Sequence, residues 1–301
     1  MIFSKNVSRN LKCNISNLLG LKELDKAVKY LGLPLIHSRR KGKDFEFVLD
    51  RLDSVLAGWK ARTLSKAGRL TLIQSVGTAL PIYAMQTAAL PKQFCRQIDS
   101  RLMRFWWGHK NLKKGLCLRS WNFICRPKET GGLGIRKTQD NNLALIARWG
   151  WQLLTGKSSL CCNLLRCKYL RENNFLEVTK KQNDSWIWKS ILSAQELVKK
   201  NCFRLVGDGK SINIWRDRWL PRNVNVSPTP YGTPRRGFMK VSDFVLNGKW
   251  NIPKLLEVFR SADVHDIISI RLSDNPDSWG WFEGPRGVYS AKAAYYSVIK
   301  D

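Results

Sequence analysis

The chain has 301 residues, 44% of them hydrophobic, which excludes wholesale disorder and leaves room for the cores of one or two domains. Its 52 Lys and Arg outnumber 23 Asp and Glu, and the excess is confined to residues 1–240, which carry 45 basic and 15 acidic side chains against 7 and 8 in residues 241–301. Like charges repel one another in a compact fold, so a net charge of +29 indicates a polyanionic partner such as nucleic acid. A basic surface without a ligand is the less favoured interpretation.

The first twenty residues place apolar side chains on one helical face with basic residues among them, a pattern typical of mitochondrial presequences. No apolar run approaches membrane-spanning length, so no membrane partner is expected. The eight cysteines form no Cys-x-x-Cys pair, and His37, His109 and His265 are not spaced as metal ligands. We therefore expect no metal and no cofactor. Cysteines without a disulfide pattern indicate an intracellular protein, and we expect the nucleus in preference to the mitochondrion.

Three amphipathic helices are predicted before residue 110. The first follows Asp44, which we predict as its N-cap, and the second follows Ser65 and ends at Pro81. The third begins at Pro91 and ends at Gly108. The sequence therefore predicts a small helical bundle over this part of the chain.

Basic side chains are concentrated on and between these helices, and residues 61–140 hold fifteen basic and three acidic residues. A solvated face explains any one of them but not the excess. Proteins hold a nucleic-acid backbone with such side chains without recognising its sequence. The residues predicted to do so are Lys60, Arg62, Lys66, Arg69, Arg101 and Arg104.

Helical spacing continues over 138–155, 158–170 and 185–199. Residues 203–206 and 211–215 then flank a glycine-rich turn and are predicted to pair as a β-hairpin. After a Pro-rich linker, the last segment is predicted to contain a short helix near 253–260, a hairpin from Trp279 to Tyr289 and a helix capped by Ser290. The predicted fold class is mainly α with small β-hairpins, a helical bundle followed by a Trp-rich helical region.

The glycine-rich runs at 131–134 and 207–209 are predicted to be turns, because neither has the strand, helix and Lys-Ser/Thr context of a phosphate loop. Asp217 has two Arg neighbours and no second carboxylate nearby, so a structural ion pair is the prediction. No histidine lies in a nucleophile context. The sequence therefore predicts no catalytic residues.

Several short motifs follow one another in a characteristic order. They are KYLGLP (29–34), GWK (58–60), LSKAGR (64–69), LPIYAM (80–85), FWWG (105–108), GGLGI (131–135), GDG (207–209), WRDRWLP (215–221) and VYSAKAAY (288–295). In order and spacing they resemble plant LINE-type (non-LTR) retrotransposon reverse transcriptases. The resemblance covers nearly the whole chain.

The resemblance implies a domain order. Its segments are a palm remnant (1–43), a helical thumb-like bundle (44–110), a Trp-rich helical region ending in a β-hairpin (111–220), a Pro-rich linker (221–240) and the truncated start of a zinc-binding region (241–301). It also implies that Tyr30, Leu31 and Gly32 form a primer-grip-like turn. The thumb-like bundle would then hold RNA or an RNA–DNA duplex.

The resemblance also bears on activity. The family's Tyr-x-Asp-Asp metal-binding motif would lie upstream of this chain, and its zinc ligands and ribonuclease H carboxylates downstream. Since two-metal nucleotidyl transfer needs paired carboxylates, we expect no enzyme activity from this chain alone. The alternatives are a degenerate pseudogene product without a selected role, and a structural partner that docks to a separately encoded polymerase palm.

Overall fold

The structure is a computed structural model that describes residues 1, 3, 7–23, 29–30, 32–34, 38, 41–58, 64–108, 117–171, 173–220 and 240–300. The chain divides into two compact units. The first contains Met1–Ala84 and Leu90–Ile135, and the second contains Met85–Ala89 and Arg136–Asp301. Within the described ranges, no helix combines the length and apolar character needed to cross a membrane.

The N-terminal elements are mostly helical. In chain order they are α1 (Arg9–Leu19), β1 (Lys29–Tyr30), β2 (Leu33–Pro34), α2 (Glu46–Gly58), α3 (Lys66–Leu72), α4 (Ile82–Thr87), α5 (Lys92–Trp107) and α6 (Trp121–Ile124). A 3-10 turn at Lys43–Phe45 precedes α2, and a π-turn at Ile73–Gly77 extends α3.

Local sequence signals explain most of these boundaries. The Ser65 hydroxyl caps α3 by accepting a hydrogen bond from the Gly68 N–H at 3.1 Å. Gly108 ends α5 in the left-handed conformation, with φ of 67°. Asp44, however, is not the N-cap of the first bundle helix. It lies in the 3-10 turn, and its carboxylate accepts hydrogen bonds from the Ser38 N–H at 2.9 and 3.1 Å.

The first unit is held together by apolar side chains of its helices. The apolar face of α5 is buried, as are side chains of α2 and of the π-turn that follows α3. The buried side chains include Phe45, Val48, Leu49, Leu52, Ile73, Phe94, Ile98 and Leu102. Helices α2, α3 with its π-turn, and α5 correspond to the three predicted helices, and the short α4, which was not predicted, lies between α3 and α5 in the chain.

The second unit is also mainly helical. Its elements are α7 (Thr138–Leu154), α8 (Leu160–Leu165), α9 (Trp186–Ser193), α10 (Gln195–Asn201), β3 (Cys202–Leu205), β4 (Val245–Leu246), β5 (Lys249–Trp250), α11 (Ile252–Val258), α12 (Ser261–Ile268), β6 (Ser278–Trp281) and α13 (Ala291–Lys300). A π-turn, Arg166–Leu170, follows α8. The predicted helix over 185–199 is divided at Ala194 into α9 and α10.

The described strands form three two-stranded antiparallel sheets. Strands β1 and β2 make one hairpin, and β4 and β5 make another. The third sheet joins β3 to the distant β6, with Phe203 opposite Gly280. The predicted hairpin between 203–206 and 211–215 is therefore wrong, and so is the hairpin over 279–289. The fold class, mainly α with small hairpins, is confirmed.

Backbone hydrogen bonding explains why β3 does not pair with residues 211–215. The Arg204 N–H donates to the Arg218 carbonyl, at 2.6 Å. The Ser211 N–H, which a hairpin ladder would need, donates to the Asp277 carboxylate at 2.9 Å. Because these groups are already hydrogen-bonded elsewhere, β3 pairs with β6 and not with residues 211–215.

Two hydrophobic cores lie in the second unit. The first comprises Ala144, Ile146, Ala147, Leu153, Cys162, Leu170, Phe175, Trp188, Ile191, Ala194, Leu197, Val198, Trp281, Ala293, Ala294 and Tyr295. The second comprises Ile212, Ile214, Trp219, Leu220, Val241, Phe244, Leu255, Val258, Phe259, Val264 and Ile267. Residues 241–300 thus share both cores with residues 144–220. The predicted linker lies outside the described residues, except for Lys240.

Candidate nucleic-acid interface

The residues predicted to bind the nucleic-acid backbone fall into three groups. Lys60 and Arg62 lie outside the described residues, as does Leu31 of the primer-grip-like turn. Lys66 and Arg69 lie on α3, and Arg101 and Arg104 lie on α5, all within the first unit.

Lys66 and Arg69 converge on the C-terminal end of α5. The Lys66 ammonium donates a hydrogen bond to the Trp106 carbonyl at 3.0 Å, and Arg69 Nη1 donates to the same oxygen at 3.1 Å. Carbonyls in the last turn of a helix lack partners in their own helix and carry the negative end of its dipole. The two cations supply those partners and connect α3 to α5.

Aromatic rings surround the Lys66 ammonium. It lies 4.8 Å from the centre of the Trp106 ring and 4.7 Å from that of Trp107, at cation–π distance. Partial burial, and then the neighbouring Arg69 charge, lower the pKa of Lys66 from its ordinary value. Because an ammonium has three donors, Lys66 keeps donors for a phosphate. Its role as a phosphate contact stays a prediction.

We expect that replacing Arg69 by alanine weakens the first unit by about 1–2 kcal/mol, because the α5 terminus loses a charged hydrogen-bond donor. A urea titration of the purified protein measures this change. Arg51→Ala, at an exposed position on α2, is the control and should change stability by less than about 0.5 kcal/mol. Equal midpoints for the two variants would contradict a structural role for Arg69.

Arg101 is paired within the first unit. Its Nε donates to both carboxylate oxygens of Asp53 on α2, at 2.8 and 2.9 Å. Both side chains are partly exposed, so this pair adds little stability. The Asp53 carboxylate also offsets part of the positive charge that Arg101 would present to a phosphate.

A row of cationic side chains lies on the face of α5 that is opposite its buried apolar residues. Lys92, Arg96 and Arg104 are all exposed, and within the described part of the chain their side chains make no hydrogen bond or ion pair. Spacings of four and eight residues keep them on one helical face. From Lys92 to Arg104 the row extends about 18 Å along the helix axis. Only Arg104 of this row was among the predicted site residues.

Two residues of the primer-grip-like segment, Tyr30 and Gly32, lie at the hairpin of β1 and β2. Tyr30 lies opposite Leu33 in the register, and Gly32 has φ of 80°, a conformation that favours glycine. Tyr30 is 67% exposed, so its ring is available to a partner. A primer-grip role for this turn stays a prediction.

The Gly-Asp-Gly turn of the second unit is held by one carboxylate. Asp277 Oδ1 accepts hydrogen bonds from the N–H groups of Gly207 and Gly209, at 2.8 and 2.9 Å. Its Oδ2 accepts from the N–H and the hydroxyl of Ser211, at 2.9 and 2.8 Å. Burial opposes the charged form, but these hydrogen bonds outweigh it and hold the pKa of Asp277 below its ordinary value. The run is a turn, as predicted.

Asp217 also forms a hydrogen bond with the protein backbone. Its carboxylate accepts a hydrogen bond from the Asn213 N–H at 2.8 Å, and Asn213 Oδ1 accepts from the Trp215 and Arg216 N–H groups. The role is structural, as predicted, but the partner is a backbone amide in place of an arginine. Among the described residues, no group of three or more His, Cys, Asp or Glu side chains could hold a metal ion.

Comparison with known proteins gives two related chains from Arabidopsis thaliana, and no family model matches. The chain is 36% identical over 290 residues to the "Putative ribonuclease H protein At1g65750". That alignment covers 89% of this chain and 45% of the relative, so the chain spans about half the length of that protein. The chain is also 32% identical over 151 residues to the "Uncharacterized mitochondrial protein AtMg00310", which covers 98% of that relative and 50% of this chain.

The chain belongs to the family of AtMg00310. The name of that protein gives it no activity, so membership in its family assigns none to this chain. The longer relative is named for ribonuclease H. Neither name mentions a reverse transcriptase.

Proposed function

We propose that this chain is derived from a retroelement of the LINE type and holds the backbone of RNA or an RNA–DNA duplex without recognising base sequence. The observation that carries the proposal is the exposed row of Lys92, Arg96 and Arg104 on α5. Cationic side chains fixed on a rigid helix contact successive phosphates, and such contacts carry no base information. The proposal assigns binding to the chain and no reaction.

Three further facts support it. The net charge of +29 exceeds what a protein without a polyanionic partner normally carries. Residues 61–140 hold only three acidic residues, and the Asp53 carboxylate on α2 pairs with Arg101. The relative that aligns with 89% of the chain is named for ribonuclease H, an enzyme class that acts on nucleic acid.

The test is the salt dependence of duplex binding. Each neutralised phosphate releases condensed counterions, so the log–log slope of affinity against salt falls by about 0.9 per contact on B-form DNA. Replacing Lys92, Arg96 and Arg104 together by glutamine should therefore make the slope shallower by roughly 2 to 3. Fluorescence anisotropy with 20-base-pair RNA–DNA and DNA duplexes measures it. All sequences should weaken alike.

A matched control removes the same charge elsewhere. Lys249, Arg260 and Arg271 are exposed positions of the nearly neutral segment 241–301. Their triple glutamine variant should keep the wild-type slope. A salt-independent affinity, or equal slopes for the two triple variants, would show that the α5 row is not the interface.

A further inference from the structure

A second basic site lies in the second unit, between the π-turn Arg166–Leu170 and the start of α9. It is a pocket of about 290 Å³. That volume lies at the lower end of the range of small-molecule sites. Its lining includes Lys168, Tyr169, Arg171, Lys181, Asp184 and Trp188.

The pocket is lined by one partly exposed ring, Tyr169, and by cations. The Lys168 ammonium lies 5.3 Å from the centre of that ring, and the buried Trp188 supports the ring from behind. The rings of Tyr169 and Trp188 stack at 4.6 Å with an interplanar angle of 3°, and the Tyr169 hydroxyl is hydrogen-bonded to the Ser185 hydroxyl at 2.9 Å. Lys168, Arg171 and Lys181 are all exposed at its rim. Three cations around one pocket suit a phosphate group, and the Tyr169 ring offers an apolar contact beside it.

Three cations of the lining outnumber Asp184, its described acidic residue. The Asp184 carboxylate accepts a hydrogen bond from the Lys181 backbone N–H at 2.7 Å, and so shapes the turn that presents the Lys181 side chain. The adjacent Ser185 hydroxyl caps α9 by accepting from the Trp188 N–H at 3.2 Å. The wall of the pocket is therefore fixed by its own hydrogen bonds.

Arg171 has a backbone conformation that an arginine rarely adopts. Its φ is 53° and its ψ is −106°, and its N–H donates to the Arg166 carbonyl at 2.8 Å to close the π-turn. Strained non-glycine residues and π-turns both occur preferentially at functional sites. Glycine would adopt this conformation without strain. Arginine at this position therefore carries backbone strain that glycine would avoid, and such strain is found where a side chain contacts a ligand.

We propose that this pocket binds the terminal nucleotide of an RNA or DNA strand, with its terminal phosphate among Lys168, Arg171 and Lys181. The inference rests on the proposed nucleic-acid function only for the source of the ligand, because the pocket shares no residue with the α5 row. An internal phosphate is a monoanion flanked by nucleotides on both sides. A terminal phosphate monoester carries more charge and is attached to the strand on one side only.

The test compares single strands of ten nucleotides that carry a 5′-phosphate, a 3′-phosphate or only hydroxyl ends. Wild-type protein should bind one phosphorylated strand about tenfold more tightly than the hydroxyl-ended strand, as a charge-assisted contact gives. Arg171→Gly should abolish this preference and raise Tm by about 2–4 °C, because it relieves the backbone. Loss of preference together with gain of stability is an outcome that a merely structural arginine does not give.

Lys180→Gln is the matched control, since Lys180 is exposed next to the pocket but does not line it. It should keep the preference, and so should the triple variant of the α5 row. Equal binding of all three strands, an equal effect of Lys180→Gln, or lower stability of Arg171→Gly would overturn the proposal. Equally tight binding of a free nucleoside monophosphate would overturn the strand-end assignment. If duplexes fail to bind while the preference persists, the α5 function falls and the pocket stands.

Discussion

Replacing Trp188 by alanine should lower the free energy of unfolding of the second unit by about 3–5 kcal/mol, the usual loss when a fully buried tryptophan is truncated in a core. Trp188 is 1% exposed. Its ring stacks on Tyr169 at 4.6 Å and meets the edge of Phe175 at 6.4 Å. Urea denaturation followed by circular dichroism measures the loss.

The neighbouring residue provides the control. Ile187 lies in the same helix but is 43% exposed, so Ile187→Ala removes little buried surface and should cost less than about 1 kcal/mol. Similar losses for the two variants would contradict the burial of Trp188. Because Trp188 also supports Tyr169, Trp188→Ala should abolish any preference for phosphorylated strand ends.

The second large effect is expected at Asp277. Asp277→Asn should destabilise the second unit by about 2–3 kcal/mol, because an amide offers one acceptor where the carboxylate serves four donors. The NH₂ group of asparagine would also face either the glycine N–H groups or Ser211. Asp274→Asn, at an exposed position three residues earlier, should be neutral within about 0.5 kcal/mol.

The same carboxylate predicts a pH dependence. The pKa of Asp277 is lower in the folded protein than its ordinary value. Its contribution is therefore fully present above the pKa of the unfolded state, near 3.9, and is lost as pH falls below about 4. Wild-type protein should lose more stability than Asp277→Asn between pH 5 and pH 3. Parallel losses in the two proteins would show that the hydrogen bonds to Asp277 do not stabilise the turn.

The candidate interface could be predicted from sequence only in part. The basic excess over 61–140 located the region, and the helical spacing of α5 was visible from its apolar residues. The same spacing places Lys92 and Arg96 beside Arg104 opposite the apolar face, a signal that was present but not used. The sequence could not show that Lys66 and Arg69 are engaged by the Trp106 carbonyl, because that contact joins residues about forty positions apart. For this reason variants of the α5 row test the proposed function more cleanly than variants of α3.

The sequence by itself determined the features that depend on hydrogen bonds within one turn of chain. Caps at Ser65 and Ser290, and the left-handed end of α5 at Gly108, follow from local chemistry that neighbouring residues carry with them. Charge is equally a property of composition, so the expectation of a polyanionic partner needed no fold. Tertiary structure alone decided which strand pairs with β3. Residues 203–206 and 211–215 satisfy every local requirement of a hairpin, but Asp277 and Arg218 take the backbone groups that the hairpin needs. A backbone N–H has one hydrogen to donate, and the competitor that receives it can lie more than sixty residues away.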